Sequence, residues 1–283
     1  MNVELQRTAK ATDAVDDRQD FLNKIIATKR RRLARAMAER PLADLRLAAG
    51  GARRNADAHR LRAALANAER LNVIAEIKRA SPSKGELRRQ LEPAAVARAY
   101  RAGGAAAVSV LTEEDYFLGS LADLRAVRAA VALPVLRKDF IVDEWQVYET
   151  AAAGADALLL IVAALDDEKL TRLRRLAEDE LGLDALVEVH TLTELRRAES
   201  CGASLVGVNN RNLHTFAVSQ ETSVELIAAR RTEARFVSES GLRTHADLQR
   251  LRALGFDGFL VGETLMRADD PAAALRALWD EAG

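Results

Sequence analysis

The sequence predicts an α/β fold, a closed (β/α)8 TIM barrel preceded by additional N-terminal helices. Three observations carry this expectation. From Val73 onward, short β-branched or leucine-rich runs alternate with amphipathic Ala/Leu/Arg-rich runs, and eight strand–helix units is the number that closes a parallel barrel. Several apolar runs follow a glycine pair, Gly104-Ala105, Gly154-Ala155, Gly202-Ala203 and Gly255-Phe256. Glycine there stops a helix in a left-handed turn and returns the chain to the sheet. No glycine-rich phosphate fingerprint follows the first strand, which argues against a doubly wound open sheet.

Taken in order, residues 1–20 are polar and are expected to form a flexible tail. They lack an apolar core and carry acids, so no secretory signal is expected there. Phe21, Leu22, Ile25, Ile26, Leu33 and Met37 recur at helical spacing, which predicts an amphipathic helix ended by Pro41. Its Lys29-Arg30-Arg31-Arg32 run reads as a solvated helix face, because no aromatic residues interleave with it. Leu42–Leu47 is expected to form a short helical turn, Gly50-Gly51 to break the chain, and Asn55 to cap a second helix through Asn67. Residues 21–283 are expected to be one domain, with a helical extension over 21–70.

The expected strands are Val73–Lys78, Ala107–Leu111, Val135–Lys138, Ala157–Val162, Ala185–Val189, Leu205–Asn209, Phe236–Glu239 and Gly258–Val261. The helices expected after them are Pro93–Arg101, Leu121–Ala130, Glu144–Ala153, Asp167–Asp179, Leu192–Glu199, Ser223–Arg230, Ala246–Leu254 and Pro271–Ala282.

Composition narrows the function. The chain has 283 residues, ordinary for one barrel, and 49% are hydrophobic, enough for a large core. Lys+Arg and Asp+Glu are 42 each, so global charge points to no nucleic acid and to no acidic partner. Cys201 is the only cysteine. No internal disulfide is possible, which fits a reducing cytoplasmic setting. It lies in a helix-to-strand turn and is expected to be inert. No apolar run reaches the roughly 18 residues of a membrane span. The four histidines and one cysteine show no metal-ligand spacing, so no metal is expected. A small phosphorylated molecule is the expected partner, and the chain is expected to be a monomer or weak homo-oligomer.

In this architecture the C-terminal strand ends form the active-site face. Read in turn, those ends are chemically rich: Glu76 and Lys78, Lys138-Asp139, Glu188-Val189-His190, Asn209-Asn210-Arg211, Ser238-Glu239-Ser240-Gly241, and Gly262-Glu263. The opposite ends are mostly small or apolar. Alternate strand residues share a face, so Glu76 and Lys78 point one way, and Lys138 and Glu188 project inward with Leu136 and Leu186. Arg137 faces the other way, as an outward ion-pair partner. For one strand alone, a Glu76–Lys78 pair that merely closes the strand end is as good a reading. Two sub-sites separate. Ser240-Gly241 and Gly262-Glu263 follow strands seven and eight, where barrels commonly bind phosphate. Glycine lets N–H groups approach an anion there, a short helix N-terminus can add its dipole, and Ser81 or Ser83 can add a hydroxyl. Lys138, Glu188, Lys78 and Glu76 form an acid–base set.

These residues resemble the indole-3-glycerol-phosphate synthase family. The motifs carrying the resemblance are Ile74-Ala-Glu-Ile-Lys-Arg-Ala-Ser-Pro-Ser83, Ser109-Val-Leu-Thr-Glu113, Leu136-Arg-Lys-Asp-Phe140, Glu188-Val-His190, Gly207-Val-Asn-Asn-Arg-Asn-Leu213 and Ser238-Glu-Ser-Gly241. The resemblance runs from about Phe21 to the end, and the N-terminal helices match the family's cap over the barrel mouth. It implies a cofactor-free carboxy-lyase of tryptophan biosynthesis. By resemblance, Lys138 is the general acid of ring closure, Glu188 the base of dehydration, and Lys78 the lysine near the substrate carboxylate and leaving hydroxyl. Glu76, Asn209 and Glu239 orient these groups and stabilise charge. Ser83, Arg211, Ser240, Gly241 and Gly262 bind substrate. Phe117, Phe140 and Leu213 wall the aromatic ring. Glu263 departs from the small residue expected after Gly262, and its side chain is expected to turn outward. Another phosphate-binding barrel isomerase or lyase, a Schiff-base aldolase using Lys138 or Lys78, and a non-catalytic barrel stay open on the residues alone.

Overall fold

In a computed structural model of the chain, the described residues are 3–88, 90–212 and 215–279, with side chains described from residue 21. Three helices come first: α1 (Val3–Glu39), α2 (Leu42–Arg53) and α3 (Arg60–Ala64). Strand β1 (Val73–Ile77) then opens the barrel, and the loop after it holds a small hairpin of β2 (Ala80–Ser81) and β3 (Gly85–Glu86). The chain continues through α4 (Pro93–Ala102), β4 (Ala107–Leu111), α5 (Leu121–Ala130), β5 (Val135–Lys138), α6 (Glu144–Ala152), β6 (Ala157–Ile161) and α7 (Asp167–Arg175). It ends with β7 (Asp184–Val189), α8 (Leu192–Ser200), β8 (Leu205–Asn209), α9 (Glu221–Ala228), β9 (Arg235–Glu239), α10 (His245–Ala253), β10 (Gly258–Val261), α11 (Glu263–Arg267) and α12 (Pro271–Ala277). The strands pair in the order β1-β10-β9-β8-β7-β6-β5-β4, and β4 pairs back to β1, so the sheet is closed.

The expected strands and barrel helices match these bounds closely. The four glycines expected to turn the chain adopt positive φ: Gly104 at 89°, Gly154 at 82°, Gly202 at 78° and Gly255 at 106°. Only a residue without Cβ enters that region at little cost. Cys201 sits at the end of α8, buried, with its thiol donating to the Ala198 carbonyl. Burial pushes that thiol's pKa up. No helix among the described residues is long and apolar enough to cross a membrane.

The pleat divides the strands into two layers. Val73, Ala75, Val108, Val110, Leu158, Leu160, Val187 and Val206 face the helices and join the larger core. Ile74, Leu136, Leu159, Leu186, Leu205, Val237 and Leu260 face inward and fill the lower barrel. Above them the same inward face carries Glu76, Lys138, Glu188, Asn209 and Glu239, so the barrel is apolar at its base and charged at its mouth.

The N-terminal extension departs from expectation. Helix α2 does not end at Leu47, and Gly50-Gly51 does not break it. Leu45 and Ala49 are fully buried, and the helix runs beside α6: Arg46 lies over the Tyr148 ring at 5.2 Å and Trp145 Nε1 donates to the Arg40 carbonyl at 3.0 Å. That packing outweighs the helix penalty of glycine. Asn55 caps nothing. Instead the chain runs to the base of the barrel, where α3 starts at Arg60. Leu61 and Leu65 of this segment enter the inner barrel layer. Around them Arg60 and Arg128 grip Asp156, at 2.9 and 2.8 Å, and the Arg62 N–H donates to Asp184 at 2.9 Å. The segment therefore plugs the bottom of the barrel. The flexible tail expected over 1–20 falls on side chains outside the described residues, while the helix itself runs from Val3. The last helix was expected to reach Ala282 and ends at Ala277, with 280–283 outside the described residues.

An added Cβ at Gly50 or Gly51 meets nothing within 4 Å. Gly50→Ala and Gly51→Ala are therefore expected to stabilise the protein by about 0.5–1 kcal/mol each. Urea denaturation measures this, and a loss of stability in both variants contradicts a continuous α2.

Candidate active site

The inner mouth of the barrel holds a charged cluster. Lys138, the last residue of β5, places Nζ 2.8 Å from Glu188 Oε2 on β7 and 3.1 Å from Glu239 Oε2 on β9. Across the barrel Lys78 Nζ lies 2.5 Å from Glu76 Oε1. Three carboxylates thus meet two ammonium groups. Burial penalises every charge here, and the response differs by residue. For Lys138, burial works against the ammonium, but Glu188, Glu239 and Glu76 prevail and raise its pKa above the ordinary lysine value. For Glu188, burial works against the carboxylate, but Lys138 and His190 hold its pKa at about 2. Glu239 takes the other course: burial, reinforced by the repulsion of Glu188 and Glu76 and only partly offset by Lys138, pushes it up to about 7. Its Oε1 is buried with no hydrogen-bond partner.

Strand register and small residues make room for the cluster. Glu188 pairs with Gly207 in the β7–β8 ladder, and Asn209 with Glu239 in the β8–β9 ladder. A Cβ at Gly207 would stand 2.2 Å from Glu239 Oε1, and one at Gly262 2.4 Å from Glu76 Oε1. Both carboxylates occupy space that a side chain would fill. Asn209 bonds the Glu188 carboxylate, and its Oδ1 accepts from Ser240 Oγ at 2.8 Å and from the Arg211 N–H at 2.9 Å. Asn209 thereby ties the acid–base cluster to the next loops.

Over the cluster opens a cavity of about 890 Å³. One wall is apolar, with Phe117 and Phe140 rings 6.3 Å apart and Leu111, Leu159 and Ile161 nearby. The far end is cationic and hydrogen-bonding: Ser81, Ser83, Lys84, Arg211, Ser240, Gly241, Arg243, Gly262 and Arg267 all line it. Ser240 and Gly241 both have positive φ, 68° and 78°, a turn that exposes backbone N–H groups. Glu263 also lines the cavity, but its carboxylate meets Arg267 at 3.3 Å and Lys84 at 3.7 Å, so its charge is offset there. The roof comes from α1, through Phe21, Leu22 and Ile25, with Phe21 set edge-on to Tyr116 and Phe216 at 5.4 Å each.

The structure brings together every expected site residue except Leu213, which lies outside the described residues. Arg137 points outward as expected, but into a buried network with Asp139 at 3.2 Å and Glu149 at 2.8 Å. The basic run at Lys29 is corrected. Lys29 is only 5% exposed and bridges Asp139 and Glu114 at 2.8 Å each. Asp139 adjoins Lys138 in sequence, and although burial opposes its charge, Lys29 and Arg137 hold its pKa at about 2. The roof helix is thus clamped to the strand end that carries Lys138. Sequence reasoning missed this because helical phase alone put Lys29 near the helix's apolar side, on the turn after Ile25 and Ile26, while composition marked it as a surface cation. Phe21, Leu22 and Ile25 were recognised as an apolar face, and the cap over the barrel mouth was expected from the family resemblance rather than from these three residues.

Comparisons with known proteins follow the same line. The sequence matches the indole-3-glycerol phosphate synthase family over residues 22–278. It is 46% identical over 266 residues to an indole-3-glycerol phosphate synthase of Carboxydothermus hydrogenoformans, covering 91% of this chain and 99% of that one. It is 50% identical over 264 residues to one from Chromobacterium violaceum, covering 92% and 98%. Among solved structures, 3-hexulose-6-phosphate synthase from Salmonella typhimurium superposes with a TM-score of 0.57 at 17% identity, over 74% of this chain and 96% of that one. This last likeness concerns the fold alone.

A carboxyl with a raised pKa favours the folded state while protonated. The Glu239 contribution is fully present below its ordinary value of 4.5 and is lost as pH rises through about 7. Ionisation of Glu239 also adds a third negative charge to a site built for an anion. Catalytic efficiency, kcat/KM, is therefore expected to fall above about pH 7, and Glu239→Gln to remove that limb. A Glu239→Gln profile that keeps the limb assigns it elsewhere.

Proposed function

The chain belongs to the indole-3-glycerol phosphate synthase family, and from this premise we propose how its residues divide the work. The reaction converts 1-(2-carboxyphenylamino)-1-deoxyribulose 5-phosphate to indole-3-glycerol phosphate. The ring closes, carbon dioxide leaves, and water is lost. The observation that carries the proposal is Lys138 Nζ held between Glu188 and Glu239 at the floor of the cavity.

Attack of the aromatic carbon on the ketone builds negative charge on the ketone oxygen. That oxygen becomes more basic than an amine as the bond forms, so the Lys138 ammonium can donate to it despite its raised pKa. Lys138 is the general acid of ring closure. The two carboxylates that hold it keep it charged and aimed before the substrate arrives. Loss of carbon dioxide requires the substrate carboxylate to turn out of the ring plane and shed water. The Phe117 and Phe140 wall, with Lys78 lining the same cavity, supplies that environment, and Leu213 belongs with the wall by motif. In the last step Glu188 removes the proton from the methylene carbon beside the nitrogen, and Lys78 protonates the departing hydroxyl. Glu76 orients Lys78 through the 2.5 Å contact, and Asn209 and Glu239 hold Glu188 and Lys138. Each positioned proton-transfer group is typically worth about 10²–10⁴ in rate.

The phosphate fits the cationic end, with Ser81 or Ser83, Arg211, the N–H groups of the Ser240-Gly241 turn, Gly262 and the Glu263 N–H around it. Pairing of the Glu263 side chain with Lys84 and Arg267 supports the use of its backbone alone. The buried thiol of Cys201 supports a cytoplasmic setting.

Lys138→Ala is expected to abolish turnover, followed by indole fluorescence from the carboxyphenylamino substrate, while circular dichroism keeps the barrel signature. Near-normal turnover in this variant rejects the role given to Lys138.

A further inference from the structure

We propose that His190 and Glu194 form a proton line behind Glu188, linking the base to solvent on the side away from the substrate. The proposal deepens the functional reading above and rests on it.

The three side chains stand in file. Glu188 Oε1, the oxygen turned away from Lys138, lies 3.4 Å from His190 Nε2. His190 Nδ1 lies 3.2 Å from Glu194 Oε2 in the first turn of α8. Glu194 is fixed in turn by the His190 backbone N–H, which donates to the same oxygen at 2.7 Å. Side-chain exposure rises along the line, from 2% at Glu188 through 9% at His190 to 17% at Glu194. Neither His190 nor Glu194 lines the cavity, whereas Glu188 does. His190 Nε2 is buried and has no hydrogen-bond partner, so its 3.4 Å contact with the Glu188 carboxylate must shorten to carry a proton. The charged groups facing the imidazole are Glu188 from β7, Glu194 from α8 and Glu239 from β9, with Lys138 of β5 beyond Glu188. Burial disfavours the imidazolium, but Glu194 and Glu188 outweigh it and raise the ring's pKa.

The chemistry requires such a line. During ring closure the ketone oxygen gains one proton. During dehydration the same oxygen gains a second and leaves as water. The methylene carbon beside the nitrogen loses one proton. The carboxylate leaves as neutral carbon dioxide, its bonding pair returning to the ring. Two protons enter and one is recovered, so each turnover draws one proton from solvent. The proton that Glu188 recovers at dehydration makes good the one spent by Lys78, exchanged through cavity water once the product has left. The one spent by Lys138 at ring closure must be replaced while the bound substrate covers the site from the front. Through the line, Glu194 takes a proton from water and gives it to His190 Nδ1 as Nε2 gives its own to Glu188 Oε1. A half-turn of the neutral carboxyl then presents the proton to the Lys138 amine.

His190 acts through Glu188 and is a positioning and relay residue. The test is steady-state turnover of the carboxyphenylamino substrate across a pH series. Wild-type turnover checks the functional reading by itself, and its absence ends that reading whatever the variants do. His190→Ala is expected to lower kcat by roughly tenfold or more with little change in KM. The loss should deepen as pH rises and protons become scarce, and added imidazole should restore rate. Wild-type kcat and an unchanged pH profile in His190→Ala overturn the proposal, as does a lowered kcat with an unchanged profile and no imidazole rescue. If His190→Ala does not fold, Glu194→Gln decides. It keeps the acceptor for the His190 N–H but cannot carry a proton, and is expected to show the same steepened pH dependence. A wild-type profile there overturns the proposal.

Discussion

A lysine ammonium held inside a barrel between two carboxylates is the constraint on which the rest depends. Such a cluster is poor stabilisation: desolvating the charges costs about as much as their attraction returns. It persists because the surrounding sheet leaves it no alternative. Lys138, Glu188 and Glu239 come from three strands, and a one-residue slip in any of them would turn its charge outward. The apolar layer beneath, from Ile74 to Leu260, fixes the strand registers without regard to chemistry. Gly207 and Gly262 then leave the volume the carboxylates occupy. Stability is supplied at the base, and the mouth is left free to be strained and reactive.

The same alternation gives β5 a double duty. Lys138 points in and joins the reaction. Asp139, next in the chain, points out and binds Lys29 of the roof helix and Arg137 of its own strand. A shift of the roof would therefore be felt one residue from the general acid. The clamp is buried, so solvent ions screen it little.

The barrel was legible because its signals are local and repeated. Apolar strand runs and helical periods recur eight times, glycine turns precede four of the strands, and each signal supports the others. The strand-end residues were legible because parity tells which side chain faces inward. The N-terminal extension was harder for a physical reason. Gly50-Gly51 is a local breaker, and only contact of Leu45 and Ala49 with a helix about a hundred residues later keeps the segment helical. Lys29 failed in the same way: its burial depends on Asp139, which no local pattern links to it. His190 stood in a quoted motif, yet its place behind Glu188 needed coordinates, because it lies past the end of the strand where parity no longer governs direction.

Residues 21–70 behave like a strap around a drum. They start above the opening, descend beside α6 and finish as a stopper in the floor. A fragment beginning at Val73 would contain every stave yet lack both lid and floor. Leu61 and Leu65 would leave a hole among the inner side chains, and Asp156 would lose Arg60. The eightfold unit that looks like a module in the sequence is thus not a self-sufficient one in this molecule, and any attempt to graft its staves onto another scaffold would have to carry the strap along.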